Sequence, residues 1–166
     1  MLIRQAKSSE FFLLKEQRLS SYQPYKEVLT PEHWDMLKAS LASTNDQDAG
    51  VEVFVAEIDG HIAGSVALFP AESIAYGWDT QKIEYPEIRM LAVSAEFRSR
   101  GVGKTLVEHC IDISKIRRQK FVGLHTGSFM ENAIGLYEKM GFQRVPPLDF
   151  APLDDGIVVQ AFRYNL

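Results

Sequence analysis

Hydrophobic and polar residues along the chain change between the spacing of strands and the spacing of helices. Apolar and β-branched residues crowd into short runs, which predict strands over 2–6, 51–58, 62–69, 87–93 and 121–126. Around them the spacing becomes helical and predicts helices over 8–19, 30–41 and from 102 to 113. Asp59-Gly60 lies between the second and third runs, and this dipeptide predicts an antiparallel hairpin. The pattern is that of an α/β protein without linkers or internal repeats.

The length and the net charge of the chain limit which classes of protein it can belong to. The 166 residues, 46% of them hydrophobic, are enough for one compact domain over residues 1–166. A net charge of −4 disfavours nucleic acid and anionic membranes as partners. The single cysteine, Cys110, cannot form an internal disulfide, and the N-terminus has no apolar run of signal-peptide length. No stretch of 18 apolar residues occurs, so we expect a cytoplasmic protein that does not span a bilayer.

The most informative segment follows the strand at 87–93. It contains Arg98, Ser99, Arg100, Gly101, Val102, Gly103 and Lys104, and it leads into a helix whose apolar residues share one face. A strand, a basic glycine-containing loop and a helix N-terminus form a site for an anion, because backbone N–H groups and the helix dipole favour negative charge. The segment predicts a pyrophosphate site. The alternative is that the glycines only make a turn before the helix.

The chain lacks a glycine that each of two other phosphate-binding motifs requires. A nucleotide-binding P-loop requires glycine where this chain has Arg98, and no strand-ending acid is placed to hold magnesium. A dinucleotide fingerprint requires a third glycine where Leu106 stands. The pattern that remains is Arg98-x-x-Gly101-x-Gly103.

That pattern resembles the Arg/Gln-x-x-Gly-x-Gly/Ala signature of GNAT acetyltransferases. A second segment, Asn132 to Phe142, resembles the closing helix of that family, which ends in Leu-Tyr-Glu-Lys-x-Gly-Phe. The resemblance implies the GNAT fold, an α/β (α+β) architecture. In it a mixed, mostly antiparallel sheet of six to seven strands is flanked by about four helices, and the sheet splays between its fourth and fifth strands.

The resemblance also implies acetyl-CoA as cosubstrate, held in the gap of the splayed sheet. Unpaired backbone groups of Leu91, Ala92 and Val93 would bind the pantetheine arm as a surrogate strand. The N–H groups of residues 100–104 would hold the pyrophosphate, with added charge from the side chains of Arg98 and Lys104. Many relatives have an asparagine contacting CoA seven residues before the helix tyrosine, where this chain has Met130. Asn132, two residues later, is the candidate substitute, and the alternative is a residue exposed to water at the start of the helix.

Two residues match catalytic positions of the family. Tyr137 matches the tyrosine that protonates the CoA sulfur, and the alternative is a tyrosine packed in the core. Glu87 matches the glutamate that acts through water as general base in the histone-acetylating branch. A solvated carboxylate at the strand end is the alternative for Glu87, and Glu84 is the nearest substitute. A backbone N–H near Leu91 or Ala92 is the candidate donor to the oxyanion.

The acceptor cannot be read from the chain. Tyr22, Tyr25, Tyr76, Trp78 and Tyr85 lie in regions that form acceptor-pocket walls in similar proteins, although packing under loops explains them as well. His125 ends its strand and is interpreted as a structural residue, with a position facing the cleft as the alternative. The remaining histidines show no metal-ligand spacing. We therefore expect a primary amine of a small molecule or a peptide and no metal. The oligomeric state cannot be read from the chain, although homodimers are common among similar proteins. A CoA-binding sensor or interaction module without catalysis is the alternative function.

Overall fold

The structure, a computed structural model, describes residues 1–73 and 82–166. The described part of the chain contains seven strands and four α-helices. The strands are β1 (Leu2–Gln5), β2 (Glu52–Ile58), β3 (His61–Phe69), β4 (Glu87–Val93), β5 (Phe121–Gly127), β6 (Gln143–Arg144) and β7 (Val159–Asn165). The helices are α1 (Phe11–Tyr22), α2 (Pro31–Leu41), α3 (Val102–Ile116) and α4 (Glu131–Lys139).

The strands form one mixed sheet in the order β1-β2-β3-β4-β5-β7-β6. β1 pairs antiparallel with β2, and β7 pairs antiparallel with both β5 and β6. β4 and β5 are parallel, but their pairing covers only Glu87 with Gly123 and Ile88 with Leu124. β4 continues to Val93 beyond that pairing. The splay predicted between the fourth and fifth strands is therefore confirmed.

Local signals in the sequence account for several boundaries. Asp59 and Gly60 have φ of 49° and 79°, the two positive values that a two-residue hairpin turn requires, and they join β2 to β3. Thr30 caps α2 by accepting a hydrogen bond from the N–H of His33 at 3.2 Å. The first predicted helix was placed too early, since its first three residues form a separate 3-10 turn and α1 runs on to Tyr22. No helix in the described ranges is long and apolar enough to cross a membrane.

The residues group into two compact units. The first comprises Met1–Ala67 and Met90–His109. Its core includes Leu14 of α1 and the face of α3 that carries Val102 and Leu106, all essentially inaccessible to solvent. A Cβ atom on Gly64 of β3 would lie 2.7 Å from the carbonyl oxygen of Ala92, so only glycine allows β3 to approach this closely.

A buried ion pair also stabilises the first unit. Arg18 of α1 donates through Nη1 to Oδ2 of Asp46 at 3.1 Å and through Nε to the carbonyl of Leu41 at 2.8 Å. Both charged side chains are 2% exposed. Removing either partner would leave an uncompensated buried charge, so this pair fixes α1 against the end of α2.

The second unit comprises Leu68–Arg89 and Cys110–Leu166. Its centre is the pairing of β5 with β7, which covers all seven residues of each strand. Val122, Leu124 and Phe162 are buried there. Gly123 lies between Val122 and Leu124 on β5. The ring of Tyr85 is so close to it that a Cβ atom at position 123 would be 2.4 Å from Cε2 of Tyr85. The ring of Tyr85 therefore occupies the space that a side chain at position 123 would need.

Candidate active-site residues

β4 changes its backbone conformation in the middle. Met90 has a φ of 57°, in the left-handed region that non-glycine residues rarely adopt. A left-handed residue within a strand is the mark of a bulge, which bends the strand and interrupts its ladder. The pairing with β5 ends two residues earlier, at Ile88. Leu91, Ala92 and Val93 thus lie beyond both the bulge and the paired stretch.

The loop before α3 contains two further left-handed residues. Ser99 and Gly101 have φ of 60° and 77°. The N–H of Thr105 donates to the carbonyl of Gly101 at 2.9 Å, and this is the first hydrogen bond of the helix. The N–H groups of Val102, Gly103 and Lys104 precede it and have no carbonyl in their own helix to bind. The segment predicted to hold a pyrophosphate thus ends in three such donors.

The basic side chains of this loop bind within the protein. Nη2 of Arg98 donates to the carbonyl of Ser21 at 3.1 Å, which ties the loop to the end of α1. Lys104 lies 3.4 Å from Glu108 in an exposed pair one helical turn apart. The guanidinium of Arg100 lies over the ring of Phe97. Arg98 therefore anchors the loop in this structure.

Leu91 has a specific partner in the first unit. The hydroxyl of Tyr22 donates to its carbonyl oxygen at 3.0 Å. Burial, and then the neighbouring Tyr25, raises the pKa of the Tyr22 hydroxyl above its usual value near 10. The hydroxyl therefore keeps its proton at neutral pH and remains a donor. Leu91 has two backbone groups, its N–H and its carbonyl. The carbonyl already accepts the hydrogen bond from Tyr22.

In the second unit, Glu87 is the centre of a buried cluster. Its Oε1 atom lies 2.7 Å from Nδ1 of His125, and its Oε2 atom accepts from Nη2 of Arg89 at 2.7 Å and from Nε at 3.2 Å. Burial alone would raise the pKa of Glu87, but the hydrogen bond and charge of His125, followed by those of Arg89, hold it below 4.5. Glu87 is not the solvated carboxylate considered as the alternative, because only 2% of it is exposed.

His125 links Glu87 to the segment that connects β6 to β7. Its Nε2 atom lies 3.2 Å from the carbonyl oxygen of Leu148, between β6 and β7. Both ring nitrogens thus lie within hydrogen-bond distance of oxygen atoms. Arg89 is held from its other side by the ring of Phe69, 4.3 Å from the guanidinium carbon. The carboxylate of Glu87 is therefore fixed in place by two neighbouring groups.

Tyr137 and Asn132 occupy different surroundings on α4. Tyr137 is 6% exposed, and its ring centroid lies 5.8 Å from that of Phe142 and 6.5 Å from that of Phe162. Asn132 lies in the exposed first turn of α4, directly after the sequence Met130-Glu131 that begins the helix.

The remaining predicted positions are partly described. Tyr25 packs edge-on against Tyr22 with centroids 5.8 Å apart, and Tyr85 packs against Phe121 at 5.9 Å. Tyr76 and Trp78 lie outside the described residues. Within residues 1–73 and 82–166, no group of three histidine, cysteine or acidic side chains is placed to hold a metal ion.

Sequence reasoning missed three of these features. Arg89 carries a charge opposite to that of Glu87 two residues away on the same strand, and this spacing is a signal that could have indicated the pair. The bulge at Met90 has no signal, because methionine is not a residue typical of left-handed positions. The hydrogen bond from Tyr22 to Leu91 joins residues 69 positions apart and is visible only in the fold.

Comparison with known proteins shows the family. The model of the acetyltransferase (GNAT) family matches residues 12–142. The chain belongs to this family. N-acetyltransferase 8 of Rattus norvegicus is 30% identical over 135 residues, which make up 81% of this GNAT chain and 58% of that protein. The chain therefore spans little more than half the length of this curated relative.

Solved structures agree on the GNAT fold. A ribosomal-protein-alanine N-acetyltransferase from Brucella melitensis matches with a TM-score of 0.66 and 18% identity over 100% of both chains. A GNAT family acetyltransferase from Elizabethkingia anophelis, solved with acetyl-CoA bound, matches with a TM-score of 0.61 and 19% identity over 99% of this chain and 97% of that one. At these identities the likeness establishes the fold.

Proposed function

We propose that this GNAT chain transfers the acetyl group of acetyl-CoA to a primary amine, by direct attack of the amine in a ternary complex. The observation that carries the proposal is the loop from Arg98 to Lys104, which follows the bulged strand β4 and ends in the free N–H groups of α3. A loop of this kind suits a pyrophosphate, since donors and the helix dipole point at one place.

The residues of the first unit fit the cosubstrate. The N–H groups of residues 100–104 would hold the pyrophosphate. Leu91, Ala92 and Val93 would receive the pantetheine arm, with the N–H of Leu91 available and its carbonyl already bound to Tyr22. Asn132 on α4 remains a proposed contact. Acetyl-CoA would supply the activated acetyl thioester, and the chain would supply binding and orientation.

Amide formation needs one group that takes a proton and one that gives a proton. A primary amine with a pKa of about 10 must lose a proton before it attacks, and the departing thiolate gains one. We assign the second task to the hydroxyl of Tyr137. We assign the first to Glu87, acting through water. The lowered pKa keeps Glu87 ionised at neutral pH, which is the form that accepts a proton, but it also makes this carboxylate a weaker base than a free one.

The acceptor that we propose is an amine of a small molecule or of a peptide. Tyr22, Tyr25 and Tyr85 are the described aromatic residues that belong to the regions facing acceptors in similar proteins. Their hydroxyl pKa values are all raised by burial, so they stay neutral, and their rings would form apolar walls beside an acceptor.

Calorimetry with acetyl-CoA, CoA and ATP in parallel tests the proposal first. We expect the two CoA compounds to bind and ATP to bind far more weakly. A panel of amines, scored by the release of free thiol from acetyl-CoA, then tests transfer. Binding of acetyl-CoA without thiol release on any amine would favour a sensor or interaction module. Binding of ATP instead would overturn the cosubstrate assignment.

A further inference from the structure

The end of α1 binds the two elements proposed to hold acetyl-CoA. Tyr22, the last residue of α1, donates its hydroxyl to the carbonyl of Leu91 on β4 at 3.0 Å. The carbonyl of the preceding residue, Ser21, accepts from Nη2 of Arg98 in the loop before α3 at 3.1 Å. Two consecutive residues of α1 thus bind Leu91 of the strand and Arg98 of the loop, which are seven positions apart in sequence.

Leu91 lies in the part of β4 that does not pair with β5. It directly follows Met90, whose φ of 57° breaks the regular strand. The pairing of β4 with β5 ends before it, at Ile88. A backbone group without a ladder partner is held only if a side chain or water takes the place of the neighbouring strand. The Tyr22 hydroxyl takes that place at the Leu91 carbonyl.

Fixing the carbonyl of Leu91 also fixes its N–H. In an extended residue the N–H and C=O groups point to the same side of the strand, which is why two paired residues can exchange both hydrogen bonds. A hydrogen bond to the carbonyl therefore limits rotation of the whole residue. An oxyanion donor is effective only when its direction is set before the reaction.

We propose that Tyr22 is a positioning residue, which through the Leu91 carbonyl holds the Leu91 N–H in the direction that binds the carbonyl oxygen of the acetyl thioester. The inference rests on the proposed function. Tyr22 does not touch the reacting atoms. Its hydroxyl binds β4. The hydrogen bond from Arg98 to Ser21 ties the same end of α1 to the loop before α3.

The test is the infrared band of the bound thioester. Acetyl-CoA labelled with carbon-13 at the acetyl carbonyl is bound to the wild-type chain, to Tyr22→Phe and to Tyr164→Phe. We expect the band to shift to lower frequency on binding to the wild type, to keep that shift in Tyr164→Phe and to lose it in Tyr22→Phe. Tyr164→Phe is the control because it removes a tyrosine hydroxyl from β7, where the ring packs against Phe142.

The outcomes separate this inference from the proposed function. If the wild type does not bind acetyl-CoA, the proposed function is wrong. If it binds and Tyr22→Phe keeps the full shift, the positioning role is wrong. Where an acceptor is known, Tyr22→Phe should lower kcat by about 10-fold and leave KM for acetyl-CoA within about 2-fold. A raised KM with unchanged kcat would also overturn the inference.

A second variant keeps the test decisive if Tyr22→Phe does not fold. Incorporation of 3-fluorotyrosine at position 22 retains the ring and the hydroxyl but makes the hydroxyl a stronger donor. A tighter bond to Leu91 should move the thioester band further than in the wild type. A band identical to that of the wild type would count against the positioning role.

Discussion

Nδ1 of His125 lies 2.7 Å from Oε1 of Glu87, and both side chains are 3% exposed. Arg89 binds the other carboxylate oxygen, so the group proposed as the general base is also the negative member of a buried ion cluster. A residue with both roles should affect stability and turnover separately, and the two effects can be measured on the same variant.

Glu87→Gln should destabilise the fold in a way that depends on pH. The folded pKa of Glu87 lies below its unfolded value, so its stabilisation is complete above about pH 4.5 and is lost as the pH falls through the folded pKa. At pH 7 the variant should lose about 3 kcal/mol of unfolding free energy, because Arg89 and His125 lose their partner. Urea unfolding across this range measures the difference, with the exposed Glu84→Gln as control. A loss that stays constant down to the lowest pH would contradict the assignment.

The same variant tests proton transfer. If Glu87 takes the proton of the amine through water, Glu87→Gln should lower turnover by about 10²-fold and remove the acidic limb of the rate profile. Thiol release against pH measures both. His125→Gln serves as the comparison, since it alters the surroundings of Glu87 and leaves the carboxylate. A Glu87→Gln enzyme with the rate and pH profile of the wild type would assign the base to another residue or to solvent.

Tyr137→Phe keeps the ring packed against Phe142 and Phe162 and removes only the hydroxyl. Loss of a positioned proton donor should lower turnover by about 10²-fold and leave the affinity for acetyl-CoA unchanged. Calorimetry and thiol release give the two values. Tyr164→Phe is the matched control, because its ring also packs against Phe142, with centroids 5.4 Å apart. Normal turnover in Tyr137→Phe would make Tyr137 a packing residue.

Gly103→Val should weaken binding of acetyl-CoA by about 10-fold or more, since a branched side chain in the first turn of α3 blocks approach to the backbone N–H groups. Asp112→Val places the same branched side chain at an exposed position later in α3, away from its N-terminus, and should bind nearly as the wild type does. Calorimetry on both variants decides between them. Equal affinities in Gly103→Val and the wild type would remove the pyrophosphate from this loop.

Gly64→Ala and Gly135→Ala should change stability in opposite directions. The added Cβ at position 64 would meet the Ala92 carbonyl at 2.7 Å and Val102 at 3.0 Å, and such overpacking costs about 1–3 kcal/mol. At position 135 on α4 the Cβ meets nothing within 4 Å, and alanine should stabilise the helix by about 0.5–1 kcal/mol. Thermal unfolding of the two variants measures the signs. Destabilisation at position 135 would mean that α4 is constrained by something besides its helical conformation.

Features fixed by neighbouring residues were the ones that the sequence predicted well. The Asp59-Gly60 turn and the Thr30 cap each depend on a few consecutive residues, so both are readable without the fold. The cluster at Glu87 joins residues 38 positions apart, and the hydrogen bond from Tyr22 to Leu91 joins residues 69 apart. Such contacts depend on which strands become neighbours. Residue types and spacings alone therefore could not show how Glu87 and Leu91 are held.

The backbone of Met90 has a consequence for how this chain can be changed. An L-residue in the left-handed region costs about 1 kcal/mol or more that glycine would not. Glycine at this position would relieve that cost and also loosen the bend that directs Leu91. A laboratory selection for heat resistance would therefore favour replacing Met90, while a selection for fast turnover would favour keeping it. The two selections should therefore favour different residues at position 90.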